Sequence, residues 1–152
     1  MMWNNKKSGT QFEKEFAFIL AEKWFWVHLF QDNRNGQPCD VIAAKDGAAY
    51  LFDCKDCELG HFPLNRMEEN QYNAMKLFQL TGNRSGMFAI RFPGQEIYLV
   101  DFEVLKKLRD KGMKRITQEE IHIYGRPLDD WLDEVAGGDA CRGENDEDTD
   151  WQ

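Results

Sequence analysis

The sequence predicts a single α/β (α+β) domain built on a central mixed β-sheet flanked by helices. Three observations predict it. A chain of 152 residues suits one domain with a sizeable core. Two segments place apolar residues at helical spacing, and around them lie short runs rich in β-branched and aromatic residues. Turn residues bound those runs, giving the order α-β-β-β-α-β-β-α. The domain is expected over residues 1–136, with residues 137–152 as an acidic, apolar-poor tail expected to be disordered.

The polar start, Met1 to Ser8, reads either as a frayed terminus or, through Lys6 and Lys7, as a basic arm against a phosphate backbone. The first helix is expected to start at Ser8 or Thr10, either of which can cap it. Phe12, Phe16, Ile19, Leu20 and Lys23 fall on its buried side, and Glu13 lies at the edge of that stripe. Glu15 reads as a solvated acid. Trp24 to Phe30 reads as a strand with both faces covered, which makes His28 a packed or interface residue. Gln31 to Pro38 is a polar loop. Val41-Ile42-Ala43-Ala44 and Ala49 to Lys55 form a hairpin through Lys45-Asp46-Gly47.

A second helix is expected from Arg66 or Met67 to Leu80, stopped by Gly82-Asn83. Gln71, Ala74, Met75 and Phe78 share its apolar stripe. An amide there needs a partner, either buried backbone or something at a functional site. Met87 to Phe92 and Glu96 to Val100 form another hairpin around Pro93-Gly94-Gln95. Asp101 is placed to cap a helix over Phe102 to Lys111. Thr117 to Glu120 has capping-box spacing, and Pro127 to Val135 reads as a last helix containing Trp131 and Leu132.

The chemistry sits in the first hairpin. Residues i and i+2 of a strand share a face, so Asp53 and Lys55 project together while Tyr50, Phe52 and Cys54 point into the core. The hairpin brings Asp40, at the start of one strand, beside Asp53, near the end of the other. Two carboxylates a few Å apart repel unless a cation lies between them, and an all-oxygen site suits Mg²⁺ or Mn²⁺. A lysine beside such an ion can orient a water or stabilise charge on a phosphate. A bare D-x-K is otherwise a surface salt bridge, so the surrounding residues have to decide.

Those residues carry a resemblance. Gly9-Thr10-Gln11-Phe12-Glu13, Cys39-Asp40, Phe52-Asp53-Cys54-Lys55, Phe62-Pro63-Leu64, Asn70-Gln71, Met87-Phe88-Ala89-Ile90 and Ile97-Tyr98-Leu99-Val100 follow in order from Gly9 to Leu128. The pattern resembles the PD-(D/E)xK nuclease superfamily, and more closely the RecU-type Holliday junction resolvases. The resemblance implies a restriction-endonuclease-like fold and a metal-dependent endonuclease that acts on branched DNA, usually as a homodimer, leaving 5′-phosphates. It implies Mg²⁺ (or Mn²⁺) held by Asp40, Asp53 and the backbone carbonyl of Cys54, with Glu13 as an auxiliary ligand, directly or through water. Lys55 would position and activate the attacking water, and Gln71 would assist. Two departures stand out. The loop before Asp40 is much shorter than the stalk that the resolvases insert into a junction. Cys57 replaces what is often a DNA-contacting hydroxyl residue.

Arg66 and Lys76 are candidate phosphate contacts. The basic run Lys106, Lys107, Arg109, Lys111, Lys114 and Arg115 reads either as a solvated helix face or as a grip on flanking duplex. The net charge of −8 argues against a strongly basic binder, but Asp129 to Gln152 holds ten acids and one base, leaving 17 acids and 18 bases up to Leu128. Without a signal-peptide pattern or a membrane-length apolar run, the protein is expected to be soluble and cytoplasmic, in a bacterium or a phage's host, and Cys39, Cys54, Cys57 and Cys141 are expected to be reduced. A zinc site is not expected, because there is one C-x₂-C and Cys54 points inward. Asp56 and Glu58 read as solvated loop acids. Two other readings stand beside junction resolution. One is a nuclease of the same superfamily acting on flaps, nicks or duplex; the other is a non-catalytic DNA- or protein-binding module.

Overall fold

The computed structural model describes residues 5–31 and 37–136, with residues 5–10 and 136 described through their backbone only. The expectations for Met1 to Asn4, for the centre of the loop before Asp40, for Cys141 and for the acidic tail fall outside the described residues, as do the side chains of Lys6 and Lys7. The chain runs α1 (Asn5–Glu22), β1 (Trp26–Leu29), β2 (Val41–Lys45), β3 (Ala48–Asp56), β4 (His61–Pro63), a 3-10 turn (Leu64–Arg66) and α2 (Glu69–Leu80). It continues β5 (Met87–Arg91), β6 (Ile97–Asp101), α3 (Phe102–Asp110), β7 (Arg115–Thr117), α4 (Ile121–Tyr124), β8 (Arg126–Pro127) and α5 (Leu128–Ala136). No helix among the described residues is long and apolar enough to cross a membrane.

The main sheet has the order β1-β2-β3-β5-β6-β8, and β4 pairs with β7 in a small second sheet. β3 and β5 run parallel, and the other neighbours run antiparallel, so the sheet is mixed as expected. β3 is central and buried from Tyr50 through Cys54, because both faces of the sheet are covered there. On one face α1 and α5 bring Phe12, Phe16, Leu20, Trp131 and Leu132 onto Val41, Tyr50, Phe52 and Leu99. On the other, the segments carrying Phe62, Leu64, Met75, Phe102, Leu105 and Ile116 cover Leu51, Phe88, Ile90 and Val100. The rings of Phe16 and Phe52 meet edge to face, 5.0 Å between centroids, fixing α1 over the centre of β3.

The β2–β3 turn has Asp46 at φ 57° and Gly47 at φ 78°. Two consecutive left-handed residues make a turn whose twist matches a two-residue hairpin, which is why an acid-glycine pair serves there. The end of α1 works similarly. Trp24 has φ 68°, its N–H donates to Ala21 O at 3.1 Å, and Phe25 N–H donates to Leu20 O at 3.2 Å. This is a Schellman cap, with Phe25 and Leu20 buried together and Trp24 where glycine usually sits.

That cap corrects the expected strand. Trp24 lies outside β1 and is 85% exposed; Trp26 is 63% exposed and His28 is on the surface too, so one face of β1 is open. Trp26 and His28 stack with each other at 6.4 Å and 15°. Other limits shift as well. α1 starts at Asn5, ahead of Ser8 and Thr10, and Lys23 lies beyond its end and is exposed. α2 starts at Glu69, because the 3-10 turn takes Leu64 to Arg66 first. Half of the expected capping box forms: Glu120 Oε1 accepts the Thr117 N–H at 2.9 Å, but Thr117 closes β7. Asp101 caps α3 as expected, accepting the Glu103 N–H at 2.8 Å.

Trp24→Gly is expected to stabilise the protein by about 0.5–1 kcal/mol, because a side chain in the left-handed region is strained and this one is almost wholly solvated. Urea unfolding reads this as a higher midpoint at unchanged slope; a lower midpoint would mean that the indole contributes packing.

Candidate active site

The hairpin places the first acid. Val41 is the register partner of Phe52, so Asp40 stands one residue beyond the ladder, with its N–H donating to Phe52 O at 3.0 Å. Its carboxylate is then fixed twice. Oδ2 accepts the Cys54 N–H at 2.7 Å, and Oδ1 accepts Gln37 Nε2 at 2.7 Å. Strand alternation turns Asp53 and Lys55 to the same face, and Lys55 Nζ lies 3.4 Å from Asp53 Oδ1.

Asp53 is the anomaly. It is 1% exposed, and neither carboxylate oxygen has a hydrogen-bond partner in the structure. The lysine contact is therefore an ion pair without a directed hydrogen bond, and Lys55 is itself only 12% exposed. Burial pushes the Asp53 carboxyl well above the ordinary carboxylate range; Lys55 opposes that rise, and the neighbouring Asp40 carboxyl adds to it. A buried acid with unused acceptors, beside a second acid, is what a hard divalent cation would complete. On that observation the residues fit Mg²⁺ or Mn²⁺. Among the described residues no three His, Cys, Asp or Glu side chains assemble as a ligand cluster, so further ligands would come from backbone or water.

Glu13 arrives from α1, half-buried, and its charge is felt at Cys54 together with those of Asp40 and Asp53. The structure thus brings Asp40, Asp53, Lys55, the Cys54 backbone and Glu13 to one end of β3. Gln71 sits in the first turn of α2, where its Oε1 accepts the Glu68 N–H at 3.1 Å. The glutamine's partner is therefore backbone at the helix start.

The candidate DNA contacts with described side chains lie on the 3-10 turn, α2 and α3, and most of them already have partners. Arg66 points a guanidinium N–H at Cys57 Sγ, 3.8 Å away. Lys76 pairs with Glu103 at 2.6 Å, which raises its pKa. Lys106 pairs with Asp110 at 2.6 Å and lies over the Tyr72 ring, whereas Lys107 is exposed. One acid also needs correction. Asp56 closes β3 and pairs with Arg91 at 3.1 Å, so it is not a solvated loop acid; Glu15 keeps a partly solvent-exposed side chain, but it pairs with the same arginine at 2.5 Å. Cys39, Cys54 and Cys57 are buried free thiols. Burial pushes Cys39 up to about 12 and Cys57 up to about 11, which keeps them protonated near neutrality.

Sequence reasoning missed Gln37 and Arg91. Gln37 had a signal, since an amide three residues before a candidate ligand can reach back to it. Arg91 had none, because its partners Glu15 and Asp56 are distant along the chain.

The model of the family described as Recombination protein U matches residues 32–130. No curated protein matches the chain. Among solved structures 26 chains match. One is Hjc of Archaeoglobus fulgidus, described as a Holliday junction resolvase from an archaeal hyperthermophile, with a TM-score of 0.59 at 18% identity over 86% of this chain and 96% of that one. The similarity is one of fold.

Asp53→Asn removes the acid whose ionisation burial opposes, so its effect on the stability of the metal-free protein is expected to become more favourable as pH rises. Between the ordinary value of 3.8 and its raised folded value, Asp53 holds a proton in the folded state that the unfolded chain releases. Stability should therefore decline as pH rises through that window, and Asp53→Asn should flatten the decline. Thermal melts across pH in a chelator check both; an unchanged slope would mean that Asp53 is not the titrating group.

Proposed function

The chain belongs to the Recombination protein U family, and from that premise we propose that it is a metal-dependent endonuclease that hydrolyses phosphodiester bonds in branched DNA, as a Holliday junction resolvase in the cytoplasm. The observation that carries the proposal is Asp53: a fully buried acid without hydrogen-bond partners, set beside Asp40 and within 3.4 Å of Lys55. A purely structural salt bridge has no reason to bury its carboxylate against a second acid, with no directed hydrogen bond to either oxygen.

In this reading Asp40, Asp53 and the backbone carbonyl of Cys54 hold Mg²⁺ or Mn²⁺, with Glu13 acting through water. The bound ion supplies charge neutralisation at the scissile phosphate and lowers the pKa of water nearby. The protein's own groups do the positioning. Gln37 and the Cys54 N–H keep Asp40 turned toward Asp53. Lys55, nearly buried, holds the attacking water in line and stabilises charge on the phosphate. Gln71 orients that water through its amide Nε2, with Oε1 engaged at the helix start. Cleavage then leaves a 5′-phosphate. Lys107 and Arg66 provide exposed positive charge for the flanking backbone, while Lys76 and Lys106 would first exchange carboxylates for phosphates.

The short connection supports a second substrate reading. β1 ends at Leu29 and β2 begins at Val41, leaving little chain to enter a junction. A nuclease of this superfamily that acts on flaps, nicks or duplex shares every step above and differs only in substrate. A homodimer also belongs to the proposal. β1 is an edge strand without charge or proline that exposes Trp26 and His28, features that invite pairing with a second copy.

Lys55→Ala is expected to lower junction cleavage roughly 10²–10⁴-fold, the usual range for losing a positioned proton-handling group, with the fold intact by circular dichroism. Asp53→Ala should abolish it; full activity in either variant overturns the proposal. Comparing a four-way junction with a flap, a nicked duplex and a linear duplex decides between the substrates. Trp26→Glu should yield a monomer in sedimentation equilibrium; an unchanged dimer would place the interface elsewhere.

A further inference from the structure

Arg91 closes β5 at the level of Asp56, its register partner on β3. Its guanidinium binds Asp56 with two nitrogens, Nη2 to Oδ2 at 3.1 Å and Nε to Oδ1 at 3.3 Å. The third nitrogen, Nη1, donates to Glu15 Oε2 on α1 at 2.5 Å. The plane of charge also lies over the Phe12 ring, 4.2 Å from its centroid. A planar fork can hold two carboxylates at fixed angles in this way; an ammonium cannot.

The partners matter because of what adjoins them. Asp56 directly follows Lys55, and Phe12 and Glu15 flank Glu13 in the middle of α1. One side chain thus ties the helix that carries Glu13 to the strand end that carries Lys55. Apolar packing of Phe12, Phe16 and Leu20 holds α1 on the sheet. Such packing is tolerant of small slides and rotations; directed hydrogen bonds are not. Without the guanidinium, Glu15 and Asp56 would also face each other as like charges, pushing helix and strand apart.

We propose that Arg91 is a positioning residue of the nuclease site, a clamp that sets Glu13 and Lys55 relative to the Asp40–Asp53 pair. The inference rests on the nuclease reading above. It predicts a coupling that a merely structural arginine would not show. Arg91→Gln should lower kcat roughly 10–100-fold and weaken Mn²⁺ binding similarly, the range for residues that orient ligands from outside the metal shell, with KM for DNA within about twofold. In a Glu13→Gln background the same change should cost far less, because the group being positioned is already gone.

The test is a double-mutant cycle of Arg91→Gln and Glu13→Gln, read by single-turnover cleavage and by Mn²⁺ calorimetry of the full chain. Additive losses overturn the clamp, as does a change confined to KM, which would make Arg91 a DNA contact. If Arg91→Gln does not fold, Glu15→Ala opens one arm of the clamp and carries the same expectations. A wild-type protein that binds Mn²⁺ but cuts no DNA defeats the nuclease reading, and the clamp is then judged on Mn²⁺ affinity alone.

Discussion

Asp53 is held away from water between two covered faces of the sheet, next to another acid, with a single lysine for company. Such a group is costly to keep charged, and the architecture around it is organised to keep it where it is. The hairpin register puts Asp40 opposite it, and the Cys54 N–H and Gln37 amide then fix Asp40, so the pair cannot swing apart to relieve its repulsion. The apolar layers on either side prevent β3 from tilting toward solvent. On the proposed reading, this repulsion is what a divalent cation would relieve.

Much of this was legible along the chain. Alternation alone assigned Asp53 and Lys55 to one side of β3 and Tyr50, Phe52 and Cys54 to the other, and the acid-glycine turn fixed the hairpin that delivers Asp40. These signals are local and periodic. The elements that escaped are neither. β4, β7 and β8 are two or three residues long, too short to show a period, and exist because partners far along the chain pair with them. Trp24 misled because an aromatic run reads as strand, whereas a Schellman geometry at the end of α1 claimed that residue first. Glu15 and Asp56 were read without a partner for the same reason: the one they share, Arg91, belongs to β5. Gln71 was read as needing a partner; its Oε1 takes the Glu68 N–H at the helix start, and the proposed role falls to its Nε2.

The site therefore has two kinds of support. Asp40 and Asp53 are placed by the hairpin register, and Asp40 also by the Cys54 N–H and the Gln37 amide. Glu13 comes from a separate helix, which is seated by side-chain packing and contacts the sheet's Arg91 through Glu15. Changes in the α1 surface can thus act on the chemistry without touching the acids, and the separation between helix and sheet is where such changes would register.

The single parallel pairing of the main sheet has a consequence for assembly. The β2–β3 hairpin closes across two residues and can form in about 1–10 μs, whereas joining β3 to β5 means closing a loop of about 30 residues that contains β4 and α2. On that ordering the two acids meet while still hydrated. Dehydration follows later, when β5 docks and the second apolar layer condenses over them. A nascent chain would therefore hold the acid pair before the core that isolates it, and divalent ions present at that stage could bias the final docking step.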